Sequence, residues 1–134
     1  MSEENVESTR RGIDAWNRRD LDALLERADP DIEYVNSPWA VEPGTRRGLD
    51  GYAAVMRAQW EVVGDAQLII ESMRDSGDDV FVMLEMSRTF GGGEARVEAR
   101  TGMRVTYRGG RVVRQEVIPV DDFPQAFEAV GLRE

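Results

Sequence analysis

Apolar positions along this chain recur with a helical period in its first half and with a period of two in its second. From Glu4 to Arg18 the pattern predicts a helix, with Val6, Ile13 and Trp16 on or near one face. Asp20 is placed to cap a second, short helix carrying Leu21, Leu24, Leu25 and Ala28. Asp29-Pro30 stops it, because the residue before Pro is pushed out of the helical region. Ile32 to Asn36 is a short strand. Ser37 to Gly48 holds Pro38, Pro43, Gly44 and Gly48 and is predicted as a loop. The clearest helix runs from Leu49 to Val63, with Tyr52, Val55, Met56, Trp60 and Val63 at helical spacing and Gly64 as its C-terminal cap.

Beyond Gly64 the alternation predicts four strands. Ala66 to Arg74 is followed by a turn at Asp75 to Asp78. Val80 to Phe90 carries Val80, Val82, Leu84 and Met86 on one face, and Gly91 to Gly93 turn the chain. Ala95 to Tyr107 sets Met103, Val105 and Tyr107 against Arg96, Glu98, Arg100 and Arg104 on the opposite face. Gly109-Gly110 is a hairpin signal, and Arg111 to Val120 is the last strand. Asp121 and Asp122 are placed to cap a terminal helix with Phe123, Phe127 and Val130, closed by Gly131. Helices ahead of an antiparallel meander define an α+β fold. Bent at glycines such as Gly102, the sheet is expected to wrap around the long helix as a cone-shaped α+β barrel with an internal pocket.

Composition narrows the chemistry. The 134 residues fit one domain, expected to span 1–134. Seventeen basic and 26 acidic residues give a net charge of −9, which argues against nucleic acid or an anionic membrane surface as partner. The chain has no His, no Cys and no Lys. That removes thiolate nucleophiles, a Ser-His-Asp triad, the usual zinc and iron ligand sets, Schiff bases and Walker-type phosphate loops. Neither metal nor cofactor is expected, and carboxylates, Tyr, Arg, amides, hydroxyls and Trp N–H groups must carry any chemistry. The acidic start Met1 to Glu4 is not followed by an apolar run, so no signal peptide is expected and a cytoplasmic location fits.

The stretches Ala15 to Leu25, Ala28 to Tyr34 and Arg47 to Tyr52, with Tyr107 to Val113 and Ala126 to Leu132, carry a resemblance that covers nearly the whole chain. Their order and spacing resemble the nuclear transport factor 2-like superfamily, in its SnoaL-like polyketide-cyclase and ketosteroid-isomerase branch. The resemblance implies a curved sheet, three helices and a conical pocket, commonly in a homodimer. It implies no single reaction, since the fold hosts isomerases, cyclases, epoxide hydrolases, dehydratases and non-catalytic binders.

Tyr34 and Asn36 share one face of a strand. The resemblance sets Asn36 near the Asp base of the isomerases, and an amide is no general base. In the related epoxide hydrolases a Tyr-x-Asn on this strand orients water, with an Arg and two acids nearby; Arg88 is the available Arg. The ordinary alternative is that Tyr34 and Asn36 line a pocket or pair at a strand end. Glu116 lies in an apolar strand, where burial would raise its pKa toward proton-transfer range, and the resemblance places an acid near it or near Val117. The alternative pairs Glu116 with Arg114 or Arg104 on the other face; Glu85 is a second carboxylate with the same two readings. Met103 falls where many cyclases carry His.

A ligand pocket is expected from Trp16, Tyr34, Trp39, Met56, Trp60, Met86 and Met103, with Trp39 as a lid or interface anchor in the Pro-rich loop. The leading expectation is a protein that binds an apolar small molecule there. The alternatives are an isomerase, cyclase or epoxide hydrolase using carboxylate acid/base chemistry, and a non-catalytic dimerisation domain. The homodimer is expected to use the faces bearing Phe81, Met83, Glu85, Ser87 and Thr89, and Arg96, Glu98, Arg100 and Arg104.

Overall fold

A computed structural model describes residues 2–36, 44–89 and 95–119, without the side chains of residues 2, 89 and 95–98. Trp39, Phe90, the expected turn at Gly91 to Gly93 and the expected terminal helix from Asp121 to Gly131 lie outside the described residues. The elements are α1 (Ser2–Asn17), α2 (Leu21–Glu26), β1 (Ala28–Asn36), β2 (Gly44–Arg47), α3 (Gly48–Val63), β3 (Gln67–Ser76), β4 (Asp79–Thr89), β5 (Ala95–Arg108) and β6 (Arg111–Ile118).

α1 ends in a Schellman motif. The Asp20 N–H reaches the Ala15 carbonyl at 2.9 Å and the Arg19 N–H reaches that of Trp16 at 3.0 Å. Arg19 occupies the left-handed position, at φ 59°, normally a glycine's place. Its side chain offsets that strain. The guanidinium stacks 4.6 Å from the Trp16 ring centroid and donates to the carbonyls of Trp16, Gly64 and Ala66. Asp20 then caps α2 by accepting from the Ala23 N–H at 3.1 Å, as expected.

α2 stops at Glu26, before Asp29-Pro30, and β1 starts at Ala28. Pro30 is thus inside the strand, at an irregularity in the β1–β6 register between Ala28 and Glu33, where its missing N–H breaks no regular ladder. The expected loop from Ser37 to Gly48 also needs correcting, because Gly44–Arg47 forms β2 against β1. An Arg47–Glu33 ion pair at 3.0 Å spans that ladder.

The six strands run in the order β2-β1-β6-β5-β4-β3 in one open, curved sheet rather than a closed barrel. It is not wholly antiparallel, since β1 pairs with β6 in parallel. Gly109 and Gly110, at φ 59° and 80°, make the β5–β6 hairpin turn. The core joins Ile13, Trp16 and Leu24 to Tyr52, Val55 and Met56 of α3 and to Val80, Val82, Leu84, Met103, Val105 and Val112 of the sheet.

The opposite face of β4 departs from expectation. Phe81, Met83 and Ser87 were expected to face a partner sheet, yet all three are buried within one chain. The Arg104 guanidinium lies 5.5 Å from the Phe81 ring centroid, held by Asp79, which accepts from it at 2.8 Å and from the Thr106 hydroxyl at 2.6 Å.

Candidate functional site

The inward faces of α1, α3 and the sheet enclose a cavity of about 940 Å³. That lies near the upper end of the usual range for small-molecule sites, about 300–1,000 Å³. Its apolar wall comes from all three layers, with Ile13, Val55, Met56, Leu84, Met86 and Met103 among the contributors. Of the residues expected there, Trp16, Tyr34, Met56, Met86 and Met103 line it, and so does Asn36, the candidate paired with Tyr34 on β1. Trp60 packs beside the core rather than on the wall. Its indole N–H donates to the Trp16 carbonyl at 3.1 Å, and the two rings sit 6.2 Å apart.

Polar groups in the wall form ordered chains. The Trp16 indole N–H donates to Oε1 of Gln59 at 3.0 Å, and Nε2 of Gln59 donates to the Tyr34 hydroxyl at 2.7 Å. An indole can only donate, so the amide oxygen must face Trp16 and the amide nitrogen must face Tyr34. The Tyr34 hydroxyl therefore accepts, and no acceptor among the described residues takes its own proton. Tyr34 is 1% exposed, and burial pushes its pKa up to about 12, partly countered by the Gln59 hydrogen bond. It is a neutral donor at physiological pH. Burial also raises the Tyr52 pKa, with Arg27 opposing; the Tyr52 hydroxyl donates to Oε1 of Gln115 at 3.4 Å.

A second chain starts at Arg27. Its Nη2 donates to the Tyr107 hydroxyl at 2.7 Å. Tyr107 and Thr9 are hydrogen-bonded at 2.7 Å, and the Thr9 hydroxyl donates to the Asn5 carbonyl at 2.8 Å. Thr9 has a single proton, so Tyr107 is the donor to Thr9.

The proposed carboxylates are elsewhere. Glu116 is not on the cavity wall; Gln115 and Val117 are. The Glu116 carboxylate lies 3.8 Å from Arg114 on the other face of the sheet, opposite Arg104 in register. The cause is a bulge. Tyr107 pairs with Val112 and Thr106 with Arg114, so Val113 is an extra residue that inverts the alternation after Val112. Glu85 sits opposite Arg100 in register, and Arg100 pairs with Glu71. That pairing lowers the Glu71 pKa and raises that of Arg100. Arg88 donates to the Val63 carbonyl and lies 3.5 Å from Asp65. Glu61, which is exposed, is the only carboxylate among the described residues that line the cavity. Among those residues, no cluster of three or more Asp, Glu, His or Cys is suited to a metal ion. No described helix is long and apolar enough to cross a membrane.

Gln59 and Arg27 were not singled out from the sequence. Gln59 is four residues past Val55 on the buried face of α3, so periodicity could have found it. Nothing local distinguishes Arg27, which acts through residues remote in sequence.

A family model for the SnoaL-like domain matches residues 9–115, and the chain belongs to that family, within the nuclear transport factor 2-like superfamily. No curated protein matches it in sequence. Among solved structures, Bal32a from a soil-derived mobile gene cassette is similar, with a TM-score of 0.75 and 21% identity over 87% of this chain and 89% of that one. TerC, co-crystallised with polyporic acid, gives 0.73 and 23% over 95% and 97%. A nuclear transport factor 2-like protein of unknown function from Burkholderia pseudomallei gives 0.73 and 22% over 98% and 99%. Likenesses at these identities establish the fold.

Proposed function

We propose that this SnoaL-like domain binds an apolar small molecule in the cavity and offers one of its oxygens, a carbonyl or an oxyanion, the Tyr34 hydroxyl proton. The carrying observation is the directional chain Trp16–Gln59–Tyr34, which leaves a neutral donor on a wall that is apolar over most of its surface. The lack of a buried carboxylate among the described wall residues favours a binding role over carboxylate acid/base catalysis. The co-crystal of TerC with polyporic acid supports a small-molecule ligand in this fold. Family membership supports a homodimer, for which light scattering at micromolar concentration is the check.

Binding of 2-acetylnaphthalene and of naphthalene, followed by tryptophan fluorescence, tests the reading. The ketone should bind more tightly, and Tyr34→Phe should remove roughly two- to tenfold of its affinity while leaving naphthalene unchanged. Failure of both ligands to bind, or equal loss for both in the variant, overturns it. Native mass spectrometry of freshly purified protein would identify a retained ligand directly.

A further inference from the structure

Two cations among the described residues line the cavity, and the ligand reading above uses neither; Arg100 is paired with Glu71, whereas Arg27 has no such partner there. It follows α2 directly and lines the cavity together with Thr9, Gly12 and Leu24. Its guanidinium is held on one side. Nε and Nη2 both reach Ser8 Oγ at 3.3 Å, and Nη2 also donates to the Tyr107 hydroxyl at 2.7 Å. These acceptors are all neutral hydroxyls. In a chain of net charge −9, no carboxylate among the described residues pairs with Arg27, and Nη1 has no acceptor there.

Gly12 makes room for this arrangement. A Cβ at that position would lie 2.5 Å from Nη1 and 2.7 Å from Cζ of Arg27. Glycine inside a helix costs about 1 kcal/mol relative to alanine. Here it lets the guanidinium lie against the α1 backbone at the cavity wall. The Tyr107–Thr9–Asn5 chain fixes the hydrogen-bonding direction behind it. An Arg fork on a cavity wall, oriented by neutral groups and with one nitrogen unpartnered among the described residues, is preorganised for an anionic oxygen.

We propose that Arg27 is an anion seat in this cavity and that the ligand is an apolar carboxylic acid whose carboxylate docks on Nη1. This rests on the cavity being the ligand site and adds the chemical class of the ligand. The carboxylate replaces no internal partner, so its charge-assisted hydrogen bond is gained without breaking an ion pair.

The test compares 2-naphthoate, ionised at neutral pH, with its neutral isostere 2-naphthamide, by calorimetry on the full chain. Wild type should prefer the acid by roughly tenfold or more. Arg27→Met should abolish that preference, weakening the acid far more than the amide. Gly12→Ala is the second variant. It improves helix propensity and forces the guanidinium off its seat, so it should weaken naphthoate selectively even if Arg27→Met does not fold. An amide that binds as tightly as the acid overturns the anion seat alone, as does a preference for the acid that survives in folded Arg27→Met or in Gly12→Ala. Binding of neither compound overturns the cavity reading together with it.

Discussion

The Trp16 indole N–H donates to Oε1 of Gln59 at 3.0 Å, and this one bond sets the hydrogen-bonding direction of the Tyr34 hydroxyl. It lets α1, through Trp16, govern a donor carried by β1, with α3 as intermediary. The chain can be reversed by a nearly isosteric change. In Gln59→Glu the carboxylate accepts from both Trp16 and Tyr34, turning the Tyr34 proton away from the cavity. Affinity for 2-acetylnaphthalene should fall about as far as in Tyr34→Phe, roughly two- to tenfold, with naphthalene affinity unchanged. A ketone affinity equal to wild type in Gln59→Glu would show that the chain does not orient the hydroxyl.

Burial of Tyr34 gives a pH dependence with a definite sign. Its folded pKa, about 12, lies above the ordinary value of 10.0, so the folded state holds this proton more tightly than the unfolded chain. The associated stability is complete below about pH 10 and is lost as pH rises toward about 12, up to about 3 kcal/mol. Tyr52 shifts in the same direction and adds to the loss. Urea midpoints measured at rising alkaline pH should fall more steeply for wild type than for Tyr34→Phe. Parallel curves for the two proteins would exclude Tyr34 as the group responsible.

Arg19 tests how a strained backbone position is held. Glycine there would relieve the positive φ, which alone would stabilise the Schellman turn. It would also remove the stacking on Trp16 and the hydrogen bonds to the carbonyls of Trp16, Gly64 and Ala66. Charge-assisted bonds are worth about 1.5–3 kcal/mol each, more than the strain of about 1–3 kcal/mol when taken together. Arg19→Gly should therefore lower stability by about 1–3 kcal/mol in urea unfolding, against the usual direction for glycine at such a site. Stabilisation would show that the side-chain contacts contribute little.

Period and punctuation in the sequence were enough for most elements, and they placed Tyr34, Asn36, Met56, Met86 and Met103 on the cavity side. They failed where long-range pairing decides. β2 is four residues in a glycine- and proline-rich stretch and becomes a strand only because β1 offers it a ladder. The parallel β1–β6 pair joins segments far apart in the chain, with no local signature. The sequence left Glu116 with two readings, and the outer-face pairing with Arg114 is the one observed; what separates them is a single extra residue, Val113, whose apolar side chain fits a regular strand as well as a bulge. The unpaired edge of Arg27 depends on Gly12 and Tyr107 meeting it in space.

The displacement of Glu116 decides the last prediction, the behaviour toward a Δ5-3-ketosteroid. That isomerisation needs a base to move a proton and a donor for the developing oxyanion. The base position by resemblance is Asn36, whose amide cannot take the proton, and Glu116 is turned to the far side of the sheet beside Arg114. By the same resemblance, the first-helix position where those isomerases present a Tyr donor falls near Gly12, whose space Arg27 occupies. Tyr34 can still supply a hydrogen bond to the oxyanion. One donor is worth roughly 10²–10³-fold, and the missing base roughly 10²–10⁴-fold. Wild type should therefore bind the steroid with little turnover, followed by the absorbance of the conjugated enone. Glu116→Gln should leave both steroid affinity and the residual rate unchanged within about twofold, as expected of a surface charge that does not touch the ligand. A fast wild-type rate abolished by Glu116→Gln would place that carboxylate in the reaction and overturn its assignment to the outer face.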